Sequence, residues 1–346
     1  MATLELDIGA PDDYEDVRVI EGPRSGLTMA VAVHRLVAGR SLGGCRMWAY
    51  ANAEDAVADV ERLARSMTFK AAAAGLRLGG GKGVIALPVG ASPEPSRRRD
   101  ALHDFADLVE SFGGTYVTAQ DVGASLEDMT YVARFTDHVV GHPIEDGGAG
   151  DPSPYTAHGV EIAIRASLRG EPLDGKRVVV IGLGHVGGEL ARRLAAAGAD
   201  LAVTDVNPDR RALADELEAD WIDDPAEALF AEADLIAPCA LGGVLDEESV
   251  PRLRAPVVAG AANNQLAHDG VADLLHDHHI LWAPDFVANA GGLIAVSDEL
   301  NGFDLERVER RIAAIADTLA EVYDRTKLST LVAAKELAAE RLEADA

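Results

Sequence analysis

Residues 178–205, VVVIGLGHVGGELARRLAAAGADLAVTD, restrict the fold more than any other part of the chain. A short β-branched run leads directly into Gly182, Gly184 and Gly187, spaced G-x-G-x-x-G, and a helix-forming segment follows at once. The three glycines differ in what they allow. Gly182 permits a tight turn, Gly184 lets backbone approach a pyrophosphate, and Gly187 lets helix and strand pack closely. The helix start, with His185 and Val186 in its first turn, offers unpaired N–H groups to phosphate oxygens. A second strand over 201–204 ends in Asp205. An acid there binds both ribose hydroxyls and repels a 2′-phosphate, so the expected cofactor is NAD rather than NADP, with Arg210 and Arg211 as the opposing consideration.

The surrounding pattern extends this reading. From residue 177 onward VVVIGLG, LAVTD, DLIAPC, APVVAGA and ILWAPD are five candidate strands separated by helical or polar segments. Such alternation implies an α/β, doubly wound parallel sheet of the Rossmann type. The first 140 residues also alternate. Strands are expected over 27–37, 84–87 and 116–119, and helices over 54–74 and 96–112. With 346 residues, two domains are expected. The Gly/Pro/Asp-rich run GHPIEDGGAGDPSPYT (141–156) marks the boundary. The expectation is an N-terminal α/β substrate-binding and oligomerisation domain over 1–140 and a dinucleotide-binding domain over 141–318, with C-terminal helices over about 319–346 returning to the first. Leu305, Val308, Ile312, Ile315, Leu319 and Val322 form one apolar helical stripe, read as core packing.

Charge removes several classes of partner. Acidic residues number 58 against 31 basic ones, a formal charge of −27, which repels nucleic acid and anionic membrane surfaces alike. No apolar run reaches bilayer length. Cys45 and Cys239 are too few for a disulfide framework and fit a reducing compartment. The acidic opening segment has no secretory character, so a cytoplasmic protein is expected. No metal site is expected.

Only five of the 31 basic residues are lysines: Lys70, Lys82, Lys176, Lys327 and Lys335. Two of them fall in MTFKAAAAGLRLGGGKGVIALP (67–88), Lys70 at a helix end and Lys82 in what reads as a glycine-rich turn before a strand. Glycines beside a lysine allow a substrate or backbone to come close. In a dry, cation-rich pocket a lysine loses its proton near neutral pH and acts as a base. A shift of roughly 3 units corresponds to about 4 kcal/mol, a plausible demand on a functional site only.

GGCRMW (43–48), the lysine stretch, TAQDVGASLEDM (118–129), GDPSPYTAHGV (150–160), APCALGGVL (237–245), GAANNQL (260–266) and APDFVANAGGLIAVSDELNG (283–302) together resemble the glutamate/leucine/phenylalanine/valine dehydrogenase family, its leucine-type members most. The resemblance implies NAD-dependent, reversible oxidative deamination of a small apolar L-amino acid (leucine, valine, isoleucine) to its 2-oxo acid and ammonia, in a cleft between the domains of a symmetric homo-oligomer. It implies that Lys70 holds the substrate carboxylate with Gly43 and Gly44 lining the pocket, that Lys82 activates water, and that Asp121 relays protons to and from the amino group. Asn263 and Asn289 would position substrate or nicotinamide, and Thr156, Cys239 and Ala240 would lie along the cofactor. Leu42, Ala119, Leu293 and Val296 would form the apolar walls. Cys45 stands where relatives usually carry Thr, and Tyr155 where a smaller residue is common. Cys45 is read as a small buried filler. Three alternatives stay open at this point: a bulky amino-acid substrate, a catalytically inactive NAD-binding regulatory protein, and a hydroxy-acid dehydrogenase. The last has no His–carboxylate motif to support it.

Overall fold

The computed structural model describes residues 13–90, 94–325 and 327–345. The opening segment on which the absence of secretory character was read falls largely in residues 1–12, outside this range. The chain forms two compact units: Met1–Asp151 with Val296–Asp304 and Ala339–Ala346, and Pro152–Ala295 with Leu305–Ala338.

The first unit is built on a mixed sheet. Its strands are β1 (Asp16–Glu21), β2 (Thr28–Val33), β3 (Ser41–Leu42), β4 (Cys45–Tyr50), β5 (Gly79–Pro88) and β6 (Tyr116–Val117). Their order is β1-β2-β5-β3-β6, with β4 also paired to β5. β1, β2 and β5 run antiparallel in turn, whereas β3 and β4 lie parallel to β5. The helix α1 (Ala53–Ala73) starts where Asn52 accepts a hydrogen bond from the Asp55 N–H. Its small and apolar positions Ala56, Val60 and Ala64 pack with Val84 on β5. The helices α2 (Pro95–Ser111) and α3 (Leu126–Val132) bear on the other core, around Phe105, Met129, Tyr116, Met47 and Ile85.

GGGKG was read as a turn, and the structure corrects this: Gly79, Gly80 and Gly81 open β5 itself, the strand with the most neighbours in the sheet. A strand interior tolerates glycine where another group needs the space of the missing side chain. A Cβ on Gly80 would lie 2.1 Å from the Thr68 nitrogen of α1, and one on Gly81 would lie 2.6 Å from the Tyr116 ring. The glycines are the sockets into which α1 and β6 settle.

The second unit carries an all-parallel sheet of β7 (Arg177–Ile181), β8 (Asp200–Thr204), β9 (Asp220–Trp221), β10 (Leu235–Pro238), β11 (Val257–Val258) and β12 (Leu281–Trp282). The order is β12-β11-β10-β7-β8-β9. It runs outward in both directions from β7 and β10, the doubly wound arrangement expected, with one strand more than the five anticipated. Val178, Val179 and Val180 are fully buried, as a central parallel strand covered on both faces requires. The helices from residue 153 onward are α4 (Ser153–Ser167), α5 (His185–Ala196), α6 (Arg211–Glu216), α7 (Pro225–Ala228), α8 (Val271–Asp277), α9 (Asp285–Ala288), α10 (Gly291–Asp298), α11 (Leu305–Ala313), α12 (Ile315–Tyr323) and α13 (Thr330–Asp345), of which residues 296–298 of α10 and 339–345 of α13 belong to the first unit. The C-terminal stripe is two helices separated at Ala314, across which i→i−4 bonds continue (Ala314 N–H to Arg310, Thr318 N–H to Ala314). Val308, Ile312, Ile315, Leu319 and Val322 are buried, while Leu305 is exposed. Among the described residues no helix is long and apolar enough to cross a membrane.

Candidate active site

Lys82 sits on β5, 4% exposed, with its Nζ 3.0 Å from Asp121 Oδ2. The two residues are brought together by glycines. Gly43 is seated so tightly that a Cβ would lie 1.7 Å from the Gly81 carbonyl oxygen, and one on Gly44 would lie 2.9 Å from the Asp121 Cβ. The Tyr116 hydroxyl donates to the Gly43 carbonyl (2.7 Å), and the Gly83 N–H donates to the Gly44 carbonyl (3.2 Å). Leu42, one residue before Gly43, is buried, as is Ala119, whose carbonyl accepts from the Cys45 N–H.

Asp121 lies in a turn fixed from several sides. Gly123 adopts φ +81°, and a Cβ there would lie 1.9 Å from the Met47 carbonyl oxygen. Arg98 donates to the Gly123 carbonyl (2.7 Å) while paired with Asp128 (2.6 Å). Asp128 in turn closes a reciprocal cap with Ser125 at the start of α3. Burial alone would raise the Asp121 carboxyl, but the charges of Lys82 and Arg46 hold it below the usual range. Lys82 therefore faces a carboxylate that it shares with the Arg46 guanidinium. Cys45 is fully buried and burial pushes its thiol far upward, which fits a filler and removes it as a nucleophile. Lys70 is half-buried in the last turn of α1, the helix whose Thr68 rests on Gly80. Val296, also of this unit, is buried on α10.

In the second unit the glycine fingerprint takes the expected form. Gly182 has φ +100°, and a Cβ there would lie 2.6 Å from the Ala240 Cβ. Gly187 is closed in by the Gly182 carbonyl and by Cys239, placing helix against strand. Gly184, by contrast, faces open space at the exposed start of α5, beside His185 and Val186. Asp205 ties the loop down: its Oδ2 accepts from the Leu183 N–H (2.6 Å) and its Oδ1 from the Asn207 N–H (2.8 Å). These groups fit a dinucleotide, with space and N–H donors where a pyrophosphate would lie and a carboxylate where a ribose would.

Asn289 donates through Nδ2 to Asn263 Oδ1 (2.8 Å) and to the Ala261 carbonyl (3.1 Å). With its oxygen committed, the exposed Asn263 presents its amide N–H groups. The buried Asn289 Oδ1 has no hydrogen-bond partner among the described residues. Thr156 on α4 donates to the Pro152 carbonyl, and its Oγ1 lies where a Cβ on Gly292 would reach, at 2.5 Å. Leu293 is buried.

Sequence reasoning missed three features. Arg46 Nε lies 3.0 Å from Asp121 Oδ2, a contact between residues far apart in the chain. A cavity of about 420 Å³ at the carboxyl ends of β7 and β10 is lined by Ile181, Val206, Phe230, Ala240, Leu241 and Arg252. Val206 and Leu241 stand 87% and 74% exposed there. Finally, Gln265 is fully buried beneath the Asn263 loop, donating to Gly260 and Ala262 and accepting from Trp282 Nε1. Only the exposed apolar residue following Asp205 had a trace in sequence.

Comparison with known proteins agrees with these two halves. Residues 4–138 match the family described as "Glu/Leu/Phe/Val dehydrogenase, dimerisation domain", and residues 203–344 match "Glutamate/Leucine/Phenylalanine/Valine dehydrogenase". Residues 156–241 also match the NAD binding domain of D-isomer specific 2-hydroxyacid dehydrogenases, a likeness confined to the dinucleotide fold. Leucine dehydrogenase of Geobacillus stearothermophilus is 41% identical over 338 residues, 96% of this chain and 91% of that one. Valine dehydrogenase of Streptomyces virginiae is 46% identical over 321 residues, 91% and 88% of the two chains. The crystal structure of L-tryptophan dehydrogenase from Nostoc punctiforme superposes with a TM-score of 0.81 at 34% identity, covering 96% of each chain. A resident nicotinamide cofactor follows from this kinship, and the chain belongs to the glutamate/leucine/phenylalanine/valine dehydrogenase family.

Proposed function

We propose that the protein oxidatively deaminates branched-chain L-amino acids, leucine, valine and isoleucine, to the 2-oxo acids and ammonia, reversibly and with NAD. The observation that supports this reading most is the buried Lys82 paired at 3.0 Å with the half-buried Asp121 in a setting of glycines. Its context is a chain 41–46% identical to enzymes named for leucine and valine. When bound, the dinucleotide accepts a hydride from the substrate α-carbon. Everything else falls to side chains. Lys70 holds the α-carboxylate, and Gly43 and Gly44, packed against Gly81 and Gln120, belong to the pocket wall. Lys82 takes a proton from the water that adds to the α-carbon, and Asp121 exchanges protons with the departing nitrogen. A fixed guanidinium could not do the work of Lys82, because it never gives up its proton. Leu42, Ala119, Leu293 and Val296 supply apolar walls that discriminate by about 1–3 kcal/mol per methylene, so related side chains share the site.

Asn263, held by Asn289, offers N–H donors to substrate or carboxamide. Thr156, Cys239 and Ala240 flank the cofactor, and the cavity beside Val206 and Leu241 takes its adenine. NAD is favoured over NADP by the Asp205 carboxylate, which would bind the ribose hydroxyls and repel a 2′-phosphate. Self-association through the first unit is part of the same reading, as that unit matches a domain described as dimerising.

The test is NADH formation at alkaline pH across a panel of L-amino acids, ranked by kcat/KM. Leucine, valine and isoleucine are expected within about 100-fold of one another, ahead of glutamate and phenylalanine. A preference for aromatic substrates would overturn the assigned side-chain class, and no turnover on any member would overturn the activity.

A further inference from the structure

Arg46 is the one long cation on β4, and it bridges two carboxylates. Its Nε lies 3.0 Å from Asp121 Oδ2, and its Nη1 lies 3.1 Å from Asp59 Oδ2 on α1. Asp59 is itself held, by the Tyr50 hydroxyl (2.7 Å) and by Arg62 (2.6 Å). We propose that Arg46 is a positioning residue for the deamination: sharing Asp121 Oδ2 with Lys82, it keeps that carboxylate ionised and in one orientation, and links it to α1, which carries Lys70. The proposal rests on the proton-relay role given to Asp121.

The geometry specifies what this does. With Arg46 and Lys82 both on Oδ2, the other oxygen, Oδ1, takes no hydrogen bond among the described residues and is the atom from which a proton would be exchanged. The groups acting on Asp121 are Lys82 from β5, Arg46 and Cys45 from β4, and Tyr116 from β6. Burial pushes the Cys45 thiol and the Tyr116 hydroxyl upward, so both are neutral and only the two cations act by charge. Lys82 must change protonation during turnover, whereas Arg46 never does. Arg46 thus supplies the constant half of the field on Asp121. A planar guanidinium spreads its donors over separate nitrogens and so spans two carboxylates at fixed geometry, whereas an ammonium carries its donors on one atom.

Two readouts test this. In kcat/KM against pH, the acid limb is expected to rise by about one unit in Arg46→Gln, because losing the fixed cation makes the site's base and its carboxylate alike easier to protonate. Arg46→Lys is expected to return the limb to within about 0.3 unit while kcat stays several-fold low, since charge is restored but the bridge to Asp59 is not. The second readout is carboxyl titration by NMR in aspartate-labelled protein, with the Asp121 signal identified by its loss in Asp121→Asn. It needs neither substrate nor cofactor, so inactivity of the wild type on amino acids would refute the proposed function and still leave Arg46 decided. An unmoved Asp121 titration in Arg46→Gln, or an equal displacement in Arg46→Lys, would overturn the proposal. Should Arg46→Gln not fold, Asp59→Asn decides: kcat several-fold down with the limb in place supports it, and unchanged kcat refutes it.

Discussion

Asp121 holds two cations on one oxygen, and this crowding explains both its ionisation and its cost. Lys82 is almost wholly buried, so removing its counter-charge leaves an uncompensated ammonium. Asp121→Asn is expected to destabilise the fold by about 3 kcal/mol at pH 7, measured by urea unfolding, and to lower kcat by roughly 10²–10⁴. The pH dependence has a definite sign. A carboxyl lowered by folding stabilises fully above its ordinary range, and that stability is lost as pH falls through the folded value. The gap between wild type and variant therefore closes on acidification below about pH 4. At this scale the sequence showed which residue types carry chemistry, because lysine is rare in the chain and two lysines stand in one apolar stretch. It did not show their partners. Arg46 and Asp121 are 75 positions apart, and nothing local distinguishes an arginine that bridges carboxylates from one that solubilises a strand.

Elements are placed here by what glycine leaves out. GGGKG reads as a turn because glycine weakens strands, and its strand character appears only with Thr68, Tyr116 and Gly43 in place, none of which is a local neighbour. Two glycines with opposite surroundings make this testable. A Cβ on Gly43 would force β3 from β5 against a carbonyl at 1.7 Å, so Gly43→Ala is expected to cost about 3 kcal/mol in urea unfolding. Gly184 has ordinary φ and open space, so Gly184→Ala is expected to stay within about 0.5 kcal/mol of wild type while weakening NADH binding, read by fluorescence titration. Equal destabilisation of the two would contradict this account. The long, strongly periodic helices were legible, as were the apolar strands of the second unit. The two-residue β9 was not, because it carries no period and exists by pairing with β8.

For the whole molecule, the doubly wound class followed from one fingerprint and its flanking alternation. The division of the C-terminal segment, Leu305–Ala338 in the second unit and Ala339–Ala346 in the first, depends on contacts that sequence does not order. The charge of −27 constrains partners without touching the chemistry, which is confined to a few buried groups. Those groups make one experiment more direct than the rest: amino-acid-dependent NADH formation by wild type and Lys82→Ala, with NADH affinity measured for both. The account predicts a rate for Lys82→Ala reduced by about 10³ or more at unchanged cofactor affinity, because the base is lost and the dinucleotide cradle in the second unit is not. Wild-type turnover by Lys82→Ala would contradict it.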